Sequence, residues 1–145
     1  MEYNALIGPV VALVAWTVIV LLWFALLLFV AMAKNKVVPP DGVRVRDSRD
    51  LPNSIQWKNH NYMHLVEQPT LFYAIVLALI AIGDSAPINL NLAWGYVILR
   101  ILHSLVQATI NKVMVRLVLF LLSTMCLLGL TVHAAAIILH HCGII

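Results

Sequence analysis

Arg100, His103 and Gln107 stand at i, i+3 and i+7 inside a run that is otherwise apolar, so in a helix all three share one stripe. A guanidinium at that depth is costly against lipid and must face a protein interior or a wet cavity. A second polar stripe, His60, His64 and Glu67 at i, i+4 and i+7, precedes Pro69, and its carboxylate lies about two turns inside a further apolar run. Arg116 stands one turn into the last apolar run, with Phe120 four residues on. Read alone, that arginine is placed to snorkel to lipid headgroups; read with the other stripes, it enters a shared polar cavity. Guanidinium groups bind carboxylate or phosphate in a fork and keep their charge, and one beside a bound thiol favours the reactive thiolate. His60, His64, His103 and Glu67 are also ligand types that suit zinc or iron. No HExxH pair is present, however, and the cationic Arg100 opposes a divalent ion, so no metal is expected.

The elements that must position these groups follow from composition. The chain has 145 residues, 63% hydrophobic and only 10% charged, with mean hydropathy +0.97, against about 25% charged in soluble domains. An all-α integral membrane four-helix bundle is expected, one domain over residues 1–145. Its spans fall near 6–33, 62–82, 88–110 and 113–139, each long enough for a hydrocarbon layer of about 30 Å. The first run is too long, and its flanks are wrong, for a cleaved signal, and it is expected to stay as an anchor. Gly8 and Pro9 open the first helix. Asn53 and Ser54 are candidate caps before the second, and Asp84 and Ser85, with Pro87, before the third. Cys126 and Cys142 are separated by about 24 Å of helical rise and cannot pair within a subunit.

Charge sets the orientation. Lys34, Lys36, Arg44, Arg46, Arg49 and Lys58 lie between the first two spans, and Lys112 and Arg116 between the last two. The positive-inside rule then makes 34–58 a cytoplasmic loop and puts both termini on the non-cytoplasmic side of a multi-pass protein. The loop, which carries Pro39, Pro40, Gly42 and Pro52, reads as a solvated linker, with a lid over the inner mouth as the alternative. Its basic residues alternate with Asp41, Asp47 and Asp50, and no nucleic-acid partner is expected. Counting inward from the cytoplasmic boundary puts Gln107 at about 6 Å, Glu67 at about 9 Å, His103 at about 12 Å and Arg100 at about 16 Å. A Glu67–Arg100 ion pair, with His103 nearby, is the simplest arrangement that leaves no charge alone.

The run Asn61-Tyr62-Met63-His64-Leu65-Val66-Glu67-Gln68-Pro69-Thr70-Leu71-Phe72-Tyr73, with Arg100-Ile101-Leu102-His103-Ser104 and Arg116, resembles the MAPEG family, the membrane-associated proteins of eicosanoid and glutathione metabolism. The resemblance implies a homotrimer of four-helix subunits that uses glutathione as co-substrate, bound between neighbouring subunits on the cytoplasmic side. Glu67 would meet the glutathione amine, and Arg100 and Arg116, as catalytic residues, its carboxylates or thiol. His60, His64, His103 and Gln107 would complete the ligand site, and a small lipophilic substrate would arrive through the membrane lipid. The chain departs from the family where His64 replaces a usual asparagine, His60 a frequent arginine, and Gln107 and Phe120 two tyrosines.

The function expected is therefore a glutathione transferase or glutathione-dependent peroxidase acting on lipophilic substrates. The alternative is a non-catalytic membrane protein of the same fold that binds a lipid or another anion. A transporter is the weakest reading, since four short-looped helices with no discontinuous span offer little for alternating access.

Overall fold

The computed structural model describes residues 4–34 and 53–142. The helices are α1 (Ile7–Ala33), α2 (Asn53–Glu67), α3 (Pro69–Ala81), α4 (Pro87–Thr109) and α5 (Val113–His141), with no strand among the described residues. Helices α2 and α3 are one rod interrupted at Gln68, whose backbone stays helical at φ −73° and ψ −38°. Pro69 has no N–H, so the carbonyl one turn back loses its donor. The Thr70 hydroxyl makes a bond of 2.7 Å to the Glu67 carbonyl across the break. Four rods thus stand where four were expected. The second begins at Asn53, inside the stretch read as loop 34–58, so residues 53–58 belong to the helix. The lid reading and the basic residues Lys36, Arg44, Arg46 and Arg49 lie outside the described residues.

Three of the rods, α1, the Ile55–Ala81 stretch and α5, are long and apolar enough to cross a membrane. Helix α4 is not among them, although four spans were expected, and the reason is its buried face. Asn89, Arg100, His103, Ser104 and Gln107 are all buried there. By contrast α1 buries only Pro9, Leu13 and Val20 and exposes large apolar side chains such as Phe29 and Leu26. This is the reverse of a water-soluble bundle. Helix α4 is the polar-cored centre, and it packs on α1, α2 and α5.

The core joins Leu13 and Val20 to Leu65, Phe72 and Val76, and to Tyr96, Val97 and Leu130. Phe72 and Tyr96 stack at 4.4 Å with an interplanar angle of 8°. With lipid on the outside, helix association depends on close packing more than on water exclusion. A Cβ at Gly129 would lie 3.1 Å from Leu92 Cδ1, so glycine there lets α5 approach α4. At the other end of α1, Lys58 Nζ sits 4.8 Å over the Trp23 ring.

The connections are tight. Asp84 Oδ2 accepts from Asn89 Nδ2 at 2.7 Å and from the Ala86 amide at 3.4 Å. The residue at the cap position of α4 is Ala86, so Asp84 braces the first turn through Asn89 in place of the cap expected at Asp84 and Ser85. Between α4 and α5, Asn111 adopts φ 49°, a left-handed conformation that asparagine tolerates better than most residues. Its amide returns to the Val106 carbonyl at 2.7 Å. Both cysteines are free, as their separation required.

Candidate functional site

The α4 stripe is positioned by three neighbours at once. Ser104 Oγ accepts from Trp16 Nε1 of α1 at 3.0 Å and from Asn61 Nδ2 of α2 at 2.8 Å, tying those helices to the level where the functional side chains sit. Arg100 and Ser104 are one turn apart, and His103 and Gln107 likewise, so fixing Ser104 fixes the rotation of the whole stripe. Arg100 is 2% exposed, His103 5% and Gln107 1%.

Arg100 is the unusual member. Its Nε donates to Tyr96 Oη at 3.3 Å, and its guanidinium carbon lies 5.6 Å from the Tyr96 ring centre and 5.4 Å from that of Phe120. Its Nη2 is buried with no acceptor. Among the described residues no carboxylate comes within ion-pair distance of it. The expected Glu67–Arg100 pair is therefore corrected: Glu67 has its side chain 64% exposed, and the closest approach it makes to a basic group is 4.0 Å, from Oε2 to His64 Nδ1. The cause is rotation about the helix. Leu65 and Pro69 face the core, and Glu67, two residues from each, points about 200° away. His60 is exposed on the same outer face.

His64 escapes that fate because its side chain, 47% exposed, leans toward α5. It lines a cavity of about 220 Å³ with His103, Val113, Arg116, Leu117 and Phe120. The two imidazoles meet edge to face with centres 6.3 Å apart. Arg116 is held by its own turn, Nη1 donating to Asn111 Oδ1 at 2.7 Å, while its Nε is buried without a partner. Phe120 connects the groups, since it both lines the cavity and covers Arg100. The structure thus gathers His64, His103 and Arg116 on one cavity and sets Arg100 behind its Phe120 wall. Gln107 remains on the buried stripe with Oε1 unpartnered. Glu67 and His60 lie on the outer surface of the subunit.

The arrangement can hold an anion. Two guanidinium groups keep unused donors at the cavity or behind its wall, and buried donors without acceptors are destabilising until something supplies one. Among the described residues no group of three or more His, Cys, Asp or Glu is placed to hold a metal ion. Ser104, Asn61, Trp16 and Tyr96 were not singled out from sequence as site-supporting residues. The one signal in α4 was spacing, since Tyr96 stands one turn before Arg100 and Ser104 one turn after it.

A polar-cored, membrane-embedded helical bundle with one arginine lining an open cavity and a second buried behind its wall defines the class. The sequence profile of the MAPEG family matches residues 10–136, and the chain belongs to that family. No curated protein and no solved structure matches the chain significantly.

Proposed function

We propose that this protein is a glutathione-dependent transferase or peroxidase acting on lipophilic substrates. The observation that carries the reading is the buried Arg100, whose Nη2 lacks an acceptor behind a cavity that Arg116 also lines. A thiolate or carboxylate supplies the missing charge, and membership in a family of glutathione metabolism makes glutathione the anion of choice. Arg116 faces the cavity and is the better placed group to stabilise a thiolate; Arg100 acts through the wall formed by Phe120 or after that ring rotates.

Glu67 supports self-association. A carboxylate on the outer face of a spanning helix is poorly tolerated by lipid, and a second copy of the chain offers it a polar surface. A homotrimer with glutathione held between subunits, its amine at Glu67, meets that need. In this reading α4 also crosses the bilayer, since its 23 residues span about 34 Å and it lies antiparallel to α5. The basic connections lie on the cytoplasmic side and both termini on the other.

A second reading has an observation behind it. Phe120 on the cavity wall and Gln107 on the buried stripe stand where the family usually has tyrosines, which suits a non-catalytic protein of the same fold holding a lipid or another anion. Adding glutathione to the purified protein in detergent and following thiolate absorbance separates the two. A saturable thiolate signal supports the enzyme. No signal at millimolar glutathione, with a retained anionic lipid in native mass spectrometry, supports the binding protein.

A further inference from the structure

We propose that His64 is the base that takes the thiol proton in this site, with Glu67 as its positioning residue; this rests on the glutathione reading above. The cavity lining itself narrows the choice. Val113, Leu117 and Phe120 have no proton acceptor, and Arg116 stays protonated. Only the two histidines remain. His103 is buried at the back of the stripe, whereas His64 has nearly half of its side chain accessible.

The ring of His64 has a carboxylate near one edge. Its Nδ1 faces Glu67 Oε2 at 4.0 Å, which leaves Nε2 on the opposite edge of the ring. At that separation the carboxylate makes no direct hydrogen bond, but its charge stabilises the imidazolium formed when the other nitrogen accepts a proton. The second carboxylate oxygen of Glu67 stays available for the glutathione amine. The other groups acting on His64 are His60 from its own helix, Arg100 and His103 from α4, and Arg116 from α5. Among the described residues all of these are basic except Glu67, so Glu67 is the group that offsets a charged His64.

In the step itself the thiol S–H bond breaks and an Nε2–H bond forms. The electron pair stays on sulfur beside Arg116, and Glu67 balances the new imidazolium. After the thiolate adds to a lipophilic electrophile, the same proton is available to the oxygen or other group released. Replacing a usual asparagine with His64 thus adds a base at a site that has lost two hydroxyls.

The experiment counts protons. Glutathione is titrated into the full-length protein by calorimetry in buffers of different ionisation enthalpy, alongside the thiolate absorbance. In the wild-type protein, thiolate should form with little proton release to buffer, because His64 keeps the proton. His64→Gln should bind glutathione within about tenfold of wild type, as expected for loss of one hydrogen bond. Its thiolate should form with release of about one proton, or not form at neutral pH. Glu67→Gln should move the wild-type proton count toward that of His64→Gln. Thiolate formation in the wild-type protein with full proton release overturns the assignment of His64 and leaves glutathione binding standing. Absence of glutathione binding to the wild-type protein overturns both.

Discussion

Arg100→Met should raise the stability of the ligand-free protein and weaken glutathione binding. The substitution removes a hydrogen bond of 3.3 Å to Tyr96 and two ring contacts beyond 5 Å. Those are worth about 1 kcal/mol for the bond and about 0.5–1 kcal/mol for each ring, or roughly 2–3 kcal/mol together. Against this stands a guanidinium that is 2% exposed with one nitrogen unpartnered. Burying such an ion costs several kcal/mol, and apolar replacements of buried ionic groups are often stabilising by about 1–4 kcal/mol. The net expectation is a gain of about 1 kcal/mol or more. Loss of a charged hydrogen bond to the ligand, about 1.5–3 kcal/mol, weakens binding roughly 10- to 100-fold. Thermal unfolding in one detergent, with and without glutathione, reads both effects. A ligand-free Arg100→Met protein less stable than wild type would show that Arg100 already has an acceptor in the assembled protein, and would remove the argument for a missing anion.

Other substitutions test separate steps. Phe120→Tyr restores a phenol to the cavity wall, and a hydrogen bond to the sulfur should raise thiolate yield about tenfold; an unchanged absorbance signal would show that this wall does not meet the thiol. Ser104→Ala leaves the Trp16 indole and the Asn61 amide without their shared acceptor and should cost about 2–4 kcal/mol in thermal unfolding. A variant as stable as wild type would mean that the three-helix tie contributes nothing. At the α4–α5 turn, stability should fall in the order Asn111, Gly, Ala, with alanine costing about 1–2 kcal/mol in the left-handed conformation. Asn111→Gly keeps the backbone but frees Arg116, so weaker glutathione binding at near-normal stability is expected there, and equal binding would sever the link between turn and site.

The rods were legible because apolar runs of membrane length leave few alternatives, and the α4–α5 hairpin because Asn111 and Lys112 are too short a connection for anything else. The α4 stripe was legible for the same reason: Arg100, His103 and Gln107 could only be tolerated facing inward. What depth could not supply was azimuth. Glu67 and Arg100 were placed in the same half of the membrane, but depth says nothing of which way a side chain points around its own helix. The signal was present in the buried series Leu65, Pro69, Phe72, Val76 and Leu79, whose spacing turns Glu67 and His60 outward. Ser104 was harder to see, because one hydroxyl in an apolar helix satisfies its own backbone as readily as it accepts from two neighbours.

The polar core of α4 also bears on how the chain enters the bilayer. A segment carrying Arg100, His103 and Gln107 partitions poorly from the translocation machinery into lipid by itself, since a single arginine near a helix centre disfavours insertion by about 2.5–3.5 kcal/mol. Helix α5 has its one arginine in the first turn, and the turn between the two is too tight for one to be released long before the other. If α4 crosses the bilayer as proposed, the pair should therefore be delivered as a preformed hairpin, waiting at the lateral gate until α5 is synthesised. Truncating the chain within α5 would then strand α4 outside the membrane.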